Sequence, residues 1–361
     1  MRGKTSMNVH RPAPILALIL LLLASGSPPP LLGAEQPVLR ILNWEDYLDP
    51  EIAADFGRQQ GVRVEETYFD SDTERDRRLA GNGATGFDLI MVDQAQLPVY
   101  RDRGWITPLD TARLPGLRHY DPRWRRAADG SATHAVPFAW GTTGIAYRAD
   151  LLKTAPTSWL DLFQSAASLC GKVTVFEDAR ELTGAALKAT GQSANATRPD
   201  LFKGVERLLQ ANHPCVAQYG ITGSDDAAAL VSGAVWAAMA YSSDATWLHG
   251  LNPNIRYVIP REGGLIWVDY LAVLATSKQK SLAFAFLEFL STPAVAVRQA
   301  AFSKAATPNL DARALLPVME GKDPATYPSG PAFDASEMIV AAPPATVAIR
   351  NQITARIIRK N

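Results

Sequence analysis

The sequence predicts an α/β protein with two lobes. Beyond residue 34, short apolar runs typical of strands alternate with longer amphipathic segments typical of helices. One set of these elements occupies residues 38–92, and a second set begins near residue 140. Alternating strands and helices build a largely parallel sheet with helices on its faces, so each set predicts one lobe. Because no low-complexity linker separates the sets, we expect the chain to cross between the lobes more than once.

The first set has the order β-α-β-α-β. Its predicted strands are 38–42, 62–68 and 89–92, and its predicted helices are 50–60 and 71–80. Pro50 in a first helical turn and a capping box that starts at Ser71 mark the beginnings of the two helices. Ligands of such sheets bind at the carboxyl ends of the strands, which makes Trp44, Asp46 and Asp93 candidate contact residues.

The second set contains more strands than the first. Its predicted strands are 143–147, 172–176, 216–219, 234–240, 257–259 and 266–274, and its predicted helices are 159–167, 201–210 and 281–290. Neither set shows a heptad or a repeat of 20–50 residues, so the sequence excludes coiled-coil and solenoid architectures.

Composition excludes several classes of function. The chain has 361 residues with 36 basic and 36 acidic side chains, so no net positive field favours nucleic acid or anionic lipid. Two cysteines exclude a disulfide-dense mini-protein and a zinc site of four cysteines. The motifs of serine hydrolases, P-loop NTPases and zinc proteases are absent, and the histidines are scattered. We therefore predict no catalytic residue, no metal site and no cofactor.

The amino terminus has the pattern of a secretory signal peptide. Basic residues precede an apolar run at 15–24, and small residues follow up to Ala34. This apolar run is well short of the about 20 residues that span a membrane. We expect a signal peptide at 1–34, cleaved after Ala34 or alternatively near 24–26, and hence an exported protein.

The two cysteines, Cys170 and Cys215, both belong to the second set. An oxidising compartment favours a disulfide over two free thiols. Cys170 precedes the predicted strand 172–176 and Cys215 precedes the predicted strand 216–219, so the thiols are within bridging reach if these strands are neighbours. We predict one disulfide, with two free thiols as the alternative.

Aromatic residues and carboxylates occur together at the ends of four predicted strands. The segments are 43–47, 177–181, 241–244 and 267–270. Trp267 and Asp269 are two residues apart on a strand, so their side chains share one face. This pairing suits an elongated cation, since ring faces attract ammonium and methylene groups while carboxylates bind the amino ends. Each segment also fits a structural role: Asp46 as a helix cap, Glu181 paired with an arginine, and Trp267 in the core.

The chain resembles the bacterial periplasmic spermidine/putrescine-binding proteins, within the family 1 extracellular solute-binding proteins. The resemblance extends from Leu39 to beyond Asn309, nearly the whole mature chain. Its landmarks are ILNWEDY at 41–47, TYFDS at 67–71, GFDLI at 86–90, VPFAWGTTGI at 136–145, DARE at 178–181, PREGGLIWVD at 260–269 and TPN at 307–309. No single motif is decisive, but their order and spacing together are specific.

This resemblance implies a two-lobed periplasmic-binding-protein fold of type II, in which each lobe is a mixed sheet flanked by helices and hinge crossings join the lobes. The implied division is lobe 1 at 35–138 and 264–308, lobe 2 at 139–263, and a C-terminal segment at 309–361 that packs mainly on lobe 2. It further implies a periplasmic monomer that binds a polyamine-like ligand between the lobes and delivers it to an inner-membrane ABC permease.

The resemblance also assigns ligand-binding roles to matching positions. Trp267 and Asp269 match the best-defined aromatic–acid pair of the family. At three positions this chain differs: Glu45 replaces a small hydroxyl residue, Asp93 replaces a serine, and Ala305 stands where a ligand-contacting tyrosine is expected. The added acids favour a cation with more than one positive charge; the alternative is that neighbouring arginines neutralise both acids. The expected ligand-binding residues are Trp44, Glu45, Asp46, Tyr47, Asp93, Asp178, Glu181, Tyr241, Asp244, Trp267 and Asp269.

Three functions fit these features. The leading hypothesis is a transport receptor that binds a polyamine-like cation without transforming it. The second is a binding protein or sensor for another small amine or cation in the same fold. The third is a secreted hydrolase that uses two of the carboxylates as acid and base.

Overall fold

The structure is a computed structural model in which residues 36–165, 167–221 and 228–359 are described. The expected signal peptide at 1–34 lies outside the described residues. The strands are β1 (Val38–Asn43), β2 (Arg63–Tyr68), β3 (Leu89–Asp93), β4 (Ala135–Arg148), β5 (Val173–Val175), β6 (Val216–Tyr219), β7 (Ala237–Tyr241), β8 (Ile255–Val258), β9 (Leu265–Val273) and β10 (Glu337–Met338). The helices are α1 (Pro50–Gln60), α2 (Asp72–Asn82), α3 (Leu97–Asp102), α4 (Pro122–Arg125), α5 (Ser131–His134), α6 (Trp159–Phe163), α7 (Ala179–Ala189), α8 (Pro199–Asn212), α9 (Ala229–Ser232), α10 (Ser242–Leu251), α11 (Lys280–Ser291), α12 (Pro293–Ser303), α13 (Leu310–Leu315), α14 (Val318–Gly321), α15 (Pro331–Asp334) and α16 (Pro344–Ile358).

The described strands form one mixed sheet that passes through both lobes. Its order is β2-β1-β3-β9-β4-β7-β5-β6, with β10 beside β9 and β8 beside β4. β2, β1 and β3 are parallel, which is the arrangement that the β-α-β-α-β order predicts. β9 runs antiparallel to β3 and to β4, so these long central strands connect the lobes.

Each lobe has its own hydrophobic core. The first core contains Leu39 of β1, Phe56 of α1 and Val268 of β9. The main core of the second lobe contains Phe163 of α6 and Leu182 of α7. A further cluster covers the opposite face of the second lobe's sheet beneath α10. This separation into two cores confirms the predicted two-lobed α/β architecture.

Strand β4 carries the chain from one core to the other. Trp140 belongs to the first core and Ile145 to the second, so the crossing occupies 141–144. The sequence pattern at 143–147 predicts only the end of this strand. Pro137 lacks the N–H of a ladder bond, and the register with β9 shifts between Pro137 and Ala139, so a bulge accommodates the proline within a longer strand.

The segment after residue 308, expected mainly on lobe 2, divides between the cores. Tyr327 and Phe333 pack in the first core, where Trp140 lies 6.1 Å from each ring. Ile353 and Ile357 of α16 pack in the second core. The last helix therefore covers lobe 2, while the chain that leads to it covers lobe 1.

Several helices differ from the sequence patterns, among them α7 and α16, which the patterns do not predict. α6 ends at Phe163 instead of continuing to 167, and the patterns predict neither α10 nor α12. α12 begins at Pro293, which ends the periodicity of α11 but is a favoured first residue of a new helix. No single helix in the described ranges is long and apolar enough to cross a membrane. The helices α11 and α12 reach the necessary length and composition only when taken together, and the chain bends by 80° between them.

A disulfide joins Cys170 to Cys215. The strands that follow them, β5 and β6, are parallel neighbours in which Val173 lies opposite Val216. The bond closes a loop between positions 45 residues apart. Closing a loop of this length stabilises a protein by up to about 4 kcal/mol, chiefly through the entropy of the unfolded chain.

Replacement of both cysteines by serine should therefore lower the free energy of unfolding by about 2–4 kcal/mol. Urea denaturation of the double variant and of the oxidised parent measures this difference. Ligand affinity serves as the control and should change little, because the bond lies at the amino ends of β5 and β6, away from the strand ends that lead to the candidate site. An unchanged denaturation midpoint would contradict the prediction.

Candidate functional site

Two neighbouring strands, β3 and β9, place an acid, an aromatic ring and a second acid on one face of the sheet, and a glycine of β4 lies beside them. Asp93 ends β3 and lies directly opposite Asp269 of β9 in the antiparallel register. Trp267 precedes Asp269 by two residues, so its side chain projects from the same face. Gly141 of β4 lies opposite Trp267.

Gly141 provides the space that the indole of Trp267 occupies. A Cβ atom at position 141 would lie 2.3 Å from Cζ2 of Trp267 and 2.7 Å from Oγ of Ser242. Both separations are far below van der Waals contact. A glycine is therefore required here for the indole to lie across β4.

Tyr47 connects the loop after β1 to this face. Its hydroxyl donates to Oδ2 of Asp269 over 2.7 Å, and its ring packs 5.4 Å from that of Phe138. Burial, reinforced by the charge of Asp269, raises the pKa of Tyr47 well above its usual value. Tyr47 is thus a neutral hydrogen-bond donor that orients the Asp269 carboxylate.

The second lobe supplies two more acids in the first turns of helices, Glu181 and Asp244, and a third acid, Asp178, as a helix cap. Asp178 caps α7 by accepting from the backbone N–H groups of Arg180 and Glu181, which places Glu181 in the first turn with only 4% of its surface exposed. Asp244 lies in the first turn of α10, directly after β7. Helix amino termini favour carboxylates, so these positions suit ionised acids.

Tyr241 lies between Phe176 of the second lobe and Trp267 of β9. It ends β7, packs 4.7 Å from the ring of Phe176, and meets Trp267 edge-on at 6.0 Å. Burial and the charge of Glu181 raise its pKa well above the usual value. The aromatic side chains of the two lobes therefore make one continuous wall.

Burial raises the pKa of three acids along this wall. The pKa of Glu181 rises to about 7, that of Asp244 to about 6 and that of Asp269 to about 6. Burial is the largest cause in each case, because removal of water penalises the charged carboxylate. A nearby cation would lower these pKa values and favour the ionised forms.

Asp93 differs from Glu181, Asp244 and Asp269 because it forms an ion pair with an arginine. Its Oδ1 accepts from the backbone N–H groups of Ala95 and Gln96 and lies 3.3 Å from Nη1 of Arg180. Burial would raise its pKa, but Arg180 and Arg75 lower it below the usual value. Sequence analysis did not single out Arg180 or Arg75, although Arg180 stands inside the DARE motif beside two predicted contact residues.

Trp44, Glu45 and Asp46 lie in a separate region at the ends of β1 and β2. Trp44 packs 4.3 Å from the ring of Phe69, whereas Glu45 and Asp46 are exposed. Asp46 adopts a left-handed backbone conformation with φ of 54°. Glu45 and Asp46 thus lie at the surface, unlike the neighbouring Tyr47, which contacts Asp269.

Four buried polar atoms along the wall lack a hydrogen-bond partner within the described residues. They are Oδ2 of Asp93, Nε of Arg180, Oε2 of Glu181 and Nε1 of Trp267. Buried polar groups in proteins are almost always satisfied. A bound polar molecule would offer these four atoms hydrogen-bond partners.

Ala305, where the resemblance places a ligand-contacting tyrosine, lies in the first lobe and outside the group of residues around Trp267. It lines a small cavity of about 20 Å³ with Phe138 and Ala139. Among the described residues, no cluster of three or more His, Cys, Asp or Glu side chains has the arrangement of a metal site.

Residues 51–333 match the family model of the bacterial extracellular solute-binding proteins. The chain belongs to this family. The match covers both lobes and all the strands except β1 and β10. The resemblance inferred from the motifs is therefore confirmed, and the two lobes are those of a solute-binding protein.

The chain is similar to three bacterial proteins whose names include a polyamine. It is 31% identical over 291 residues to the norspermidine sensor of Vibrio cholerae, with 80% of each chain covered. It is 30% identical over 336 residues to the putrescine-binding periplasmic protein PotF of Escherichia coli, covering 85% of this chain and 88% of that protein. The crystal structure of the spermidine/putrescine substrate-binding protein PotD of Streptococcus pneumoniae matches with a TM-score of 0.79 and 26% identity, over 90% of this chain and 99% of that one.

Proposed function

We propose that this protein binds a di- or polyamine between its lobes and delivers it to an ABC-transporter permease. The carboxylates of Glu181, Asp244 and Asp269 bind the ammonium groups, while Trp267 and Tyr241 pack against the methylene chain. Alkyl ammonium groups titrate near pH 10, so such a ligand is fully charged at neutral pH. Its two or more charges match the several acids of the site.

The observation that carries this proposal is a set of three acids, one buried and two half-buried, whose pKa values are raised. Burial disfavours the ionised forms of Glu181, Asp244 and Asp269. An ammonium group offers both a counter-charge and N–H donors for lone pairs such as Oε2 of Glu181. The relatives whose names include putrescine, spermidine or norspermidine support the same class of ligand.

The remaining predicted contact residues take supporting roles in this proposal. Asp178 caps α7 and thereby positions Glu181, and Tyr47 orients Asp269. Trp44, Glu45 and Asp46 line the outer part of the ligand path. Asp93 keeps Arg180 in place.

Calorimetric titration tests the proposal directly. The protein, stripped of ligand, is titrated with putrescine, cadaverine, spermidine, spermine and agmatine, and the released ligand is analysed by mass spectrometry. We expect one site for at least one of these amines, which is recovered with its mass unchanged. Failure to bind any of the five would contradict the proposal, and conversion of the amine would favour the hydrolase hypothesis.

The similarity to the norspermidine sensor favours a second role. In that case the closed, amine-loaded protein contacts a membrane sensor instead of a permease. Uptake of labelled polyamine by cells that lack the gene separates the two roles. A transport receptor is required for uptake, whereas a sensor is not.

We also propose that residues 1–34 are a signal peptide removed during export to the periplasm, and that the mature protein is a monomer. The basic-apolar-small pattern and the extracellular solute-binding family support export. Sequencing of the mature amino terminus together with sedimentation equilibrium tests both statements.

Amine affinity should fall as the pH falls through 7 to 5. Burial raises the pKa of Asp244 and Asp269 to about 6 and that of Glu181 to about 7, and an ammonium neighbour favours their charged forms. Binding therefore lowers these pKa values and releases protons, so affinity rises with pH through the free-state values. At pH 5, the cost of ionising each aspartate weakens binding by about tenfold relative to pH 8, and the cost of ionising Glu181 weakens it further.

Titration in two buffers with different ionisation enthalpies at pH 6.5 measures the proton release. The Asp269→Asn variant, which lacks one of the titrating groups, should release fewer protons than the parent. Affinity that stays constant between pH 5 and 8 would contradict the prediction.

A further inference from the structure

Arg180 crosses from the second lobe to two carboxylates of the first. It lies on α7, whose apolar face packs in the second core, yet its guanidinium points to α2 and β3. Nη2 lies 3.2 Å from Oδ2 of Asp72, and Nη1 lies 3.3 Å from Oδ1 of Asp93. One forked cation thus contacts two acids that belong to the opposite lobe.

Both acids are held in place by their own lobe. Asp72 begins α2, where its Oδ1 lies 2.8 Å from Nη1 of the fully buried Arg75. Asp93 is held by the backbone N–H groups after β3. Since these carboxylates are fixed in the first lobe, the bonds to Arg180 join the two lobes in the arrangement that the structure shows.

The acids near Arg180 differ in whether an arginine is bonded to them. Asp93 faces Asp269 across the strands, and the acids Asp178 and Glu181 flank Arg180 on α7. Arg180 and Arg75 lower the pKa of Asp93, which is thus ionised and neutralised within the protein. Glu181, Asp244 and Asp269 have no such bonded guanidinium among the described ion pairs.

We propose that Arg180 is a cation built into the cleft, which binds the lobes together and keeps ligand ammonium groups away from Asp72 and Asp93. The guanidinium occupies the position at which an ammonium group of a longer amine would meet these two carboxylates. The ligand is therefore limited to the carboxylates of Glu181, Asp244 and Asp269. This selectivity rests on the proposed amine-binding function, whereas the bond between the lobes does not.

The test compares Arg180→Gln with Arg198→Gln. Arg198 is an exposed arginine of the same lobe that pairs only with the neighbouring Asp200 among the described ion pairs, so it controls for the loss of one charge. Small-angle scattering of the ligand-free proteins measures closure. Titration with putrescine and spermine measures selectivity between two and four charges.

We expect ligand-free Arg180→Gln to have a larger radius of gyration than both the parent and Arg198→Gln. Its affinity for spermine relative to putrescine should rise by about tenfold or more, because Asp72 and Asp93 become available to an additional ammonium group. Asp72→Asn removes one of the two bonds and should expand the ligand-free protein in the same direction. It provides a second reading if Arg180→Gln does not fold.

Identical scattering of Arg180→Gln, Asp72→Asn and Arg198→Gln would overturn the bond between the lobes. An unchanged ratio of spermine to putrescine affinity would overturn the selectivity. If the parent binds no amine while Arg180→Gln still expands, the amine-binding function fails but the bond between the lobes stands.

Discussion

Asp269→Asn should weaken amine binding by about a hundredfold. The substitution keeps the shape of the side chain and a carbonyl oxygen that accepts from the Tyr47 hydroxyl, now 2.7 Å from Asp269. It removes the counter-charge of a desolvated ammonium group, which costs about 3 kcal/mol. Each 1.4 kcal/mol corresponds to about tenfold in affinity, hence the expected hundredfold loss.

Calorimetric titration of the parent and the variant with the tightest amine measures this loss. Asp110→Asn is the matched control, because Asp110 is an exposed cap of a short helical turn and asparagine also accepts the capping bond from Ala112. The control should bind as the parent does. If folded Asp269→Asn also binds every tested amine like the parent, Asp269 has no role in binding.

Gly141→Ala should weaken binding on the order of thirtyfold, although it adds only a methyl group and touches no acid. The new Cβ would lie 2.3 Å from the Trp267 ring, so the indole must leave its position across β4. Stacking of a cationic chain on a desolvated tryptophan is worth about 2 kcal/mol, which the displaced ring no longer supplies.

Gly204→Ala is the control for this substitution. Gly204 lies within α8 with open space around its Cβ position, so alanine there is tolerated and even favours the helix. A double-mutant cycle with Trp267→Ala tests whether Gly141→Ala weakens binding by displacing the indole. Once Trp267 is removed, Gly141→Ala should have little further effect on binding. Full additivity of the two losses would contradict a route through the indole.

The sequence predicts the lobes of this protein better than the connections between them. The parallel arrangement of β1, β2 and β3 follows from local periodicity and strand–helix alternation. The length of β4 does not follow from local periodicity, because Pro137 and Gly141 interrupt the pattern. A bulge against β9 accommodates Pro137, and the indole of Trp267 requires Gly141. The division of the C-terminal segment between the cores depends likewise on tertiary contacts of Tyr327 and Ile353.

The same distinction applies to the site. Trp267 and Asp269 share a face because strand geometry dictates it, and the register then brings Asp93 opposite Asp269. The sequence contains no signal that Asp72 meets Arg180, since these residues belong to helices of different lobes. Counted from the sequence alone, Asp93 adds one negative charge to the expected ligand-binding residues. In the fold, Arg180 neutralises this charge.

A series of ligands of equal length and decreasing charge tests the central claim most directly. The account predicts that 1,4-diaminobutane binds more tightly than 4-aminobutan-1-ol, and that 1,4-butanediol does not bind measurably at pH 7.5. Each removed ammonium leaves a buried carboxylate without its counter-charge, so each step should cost about a hundredfold. Equal affinity for the three compounds, or no binding of the diamine or of any longer polyamine, would contradict the account.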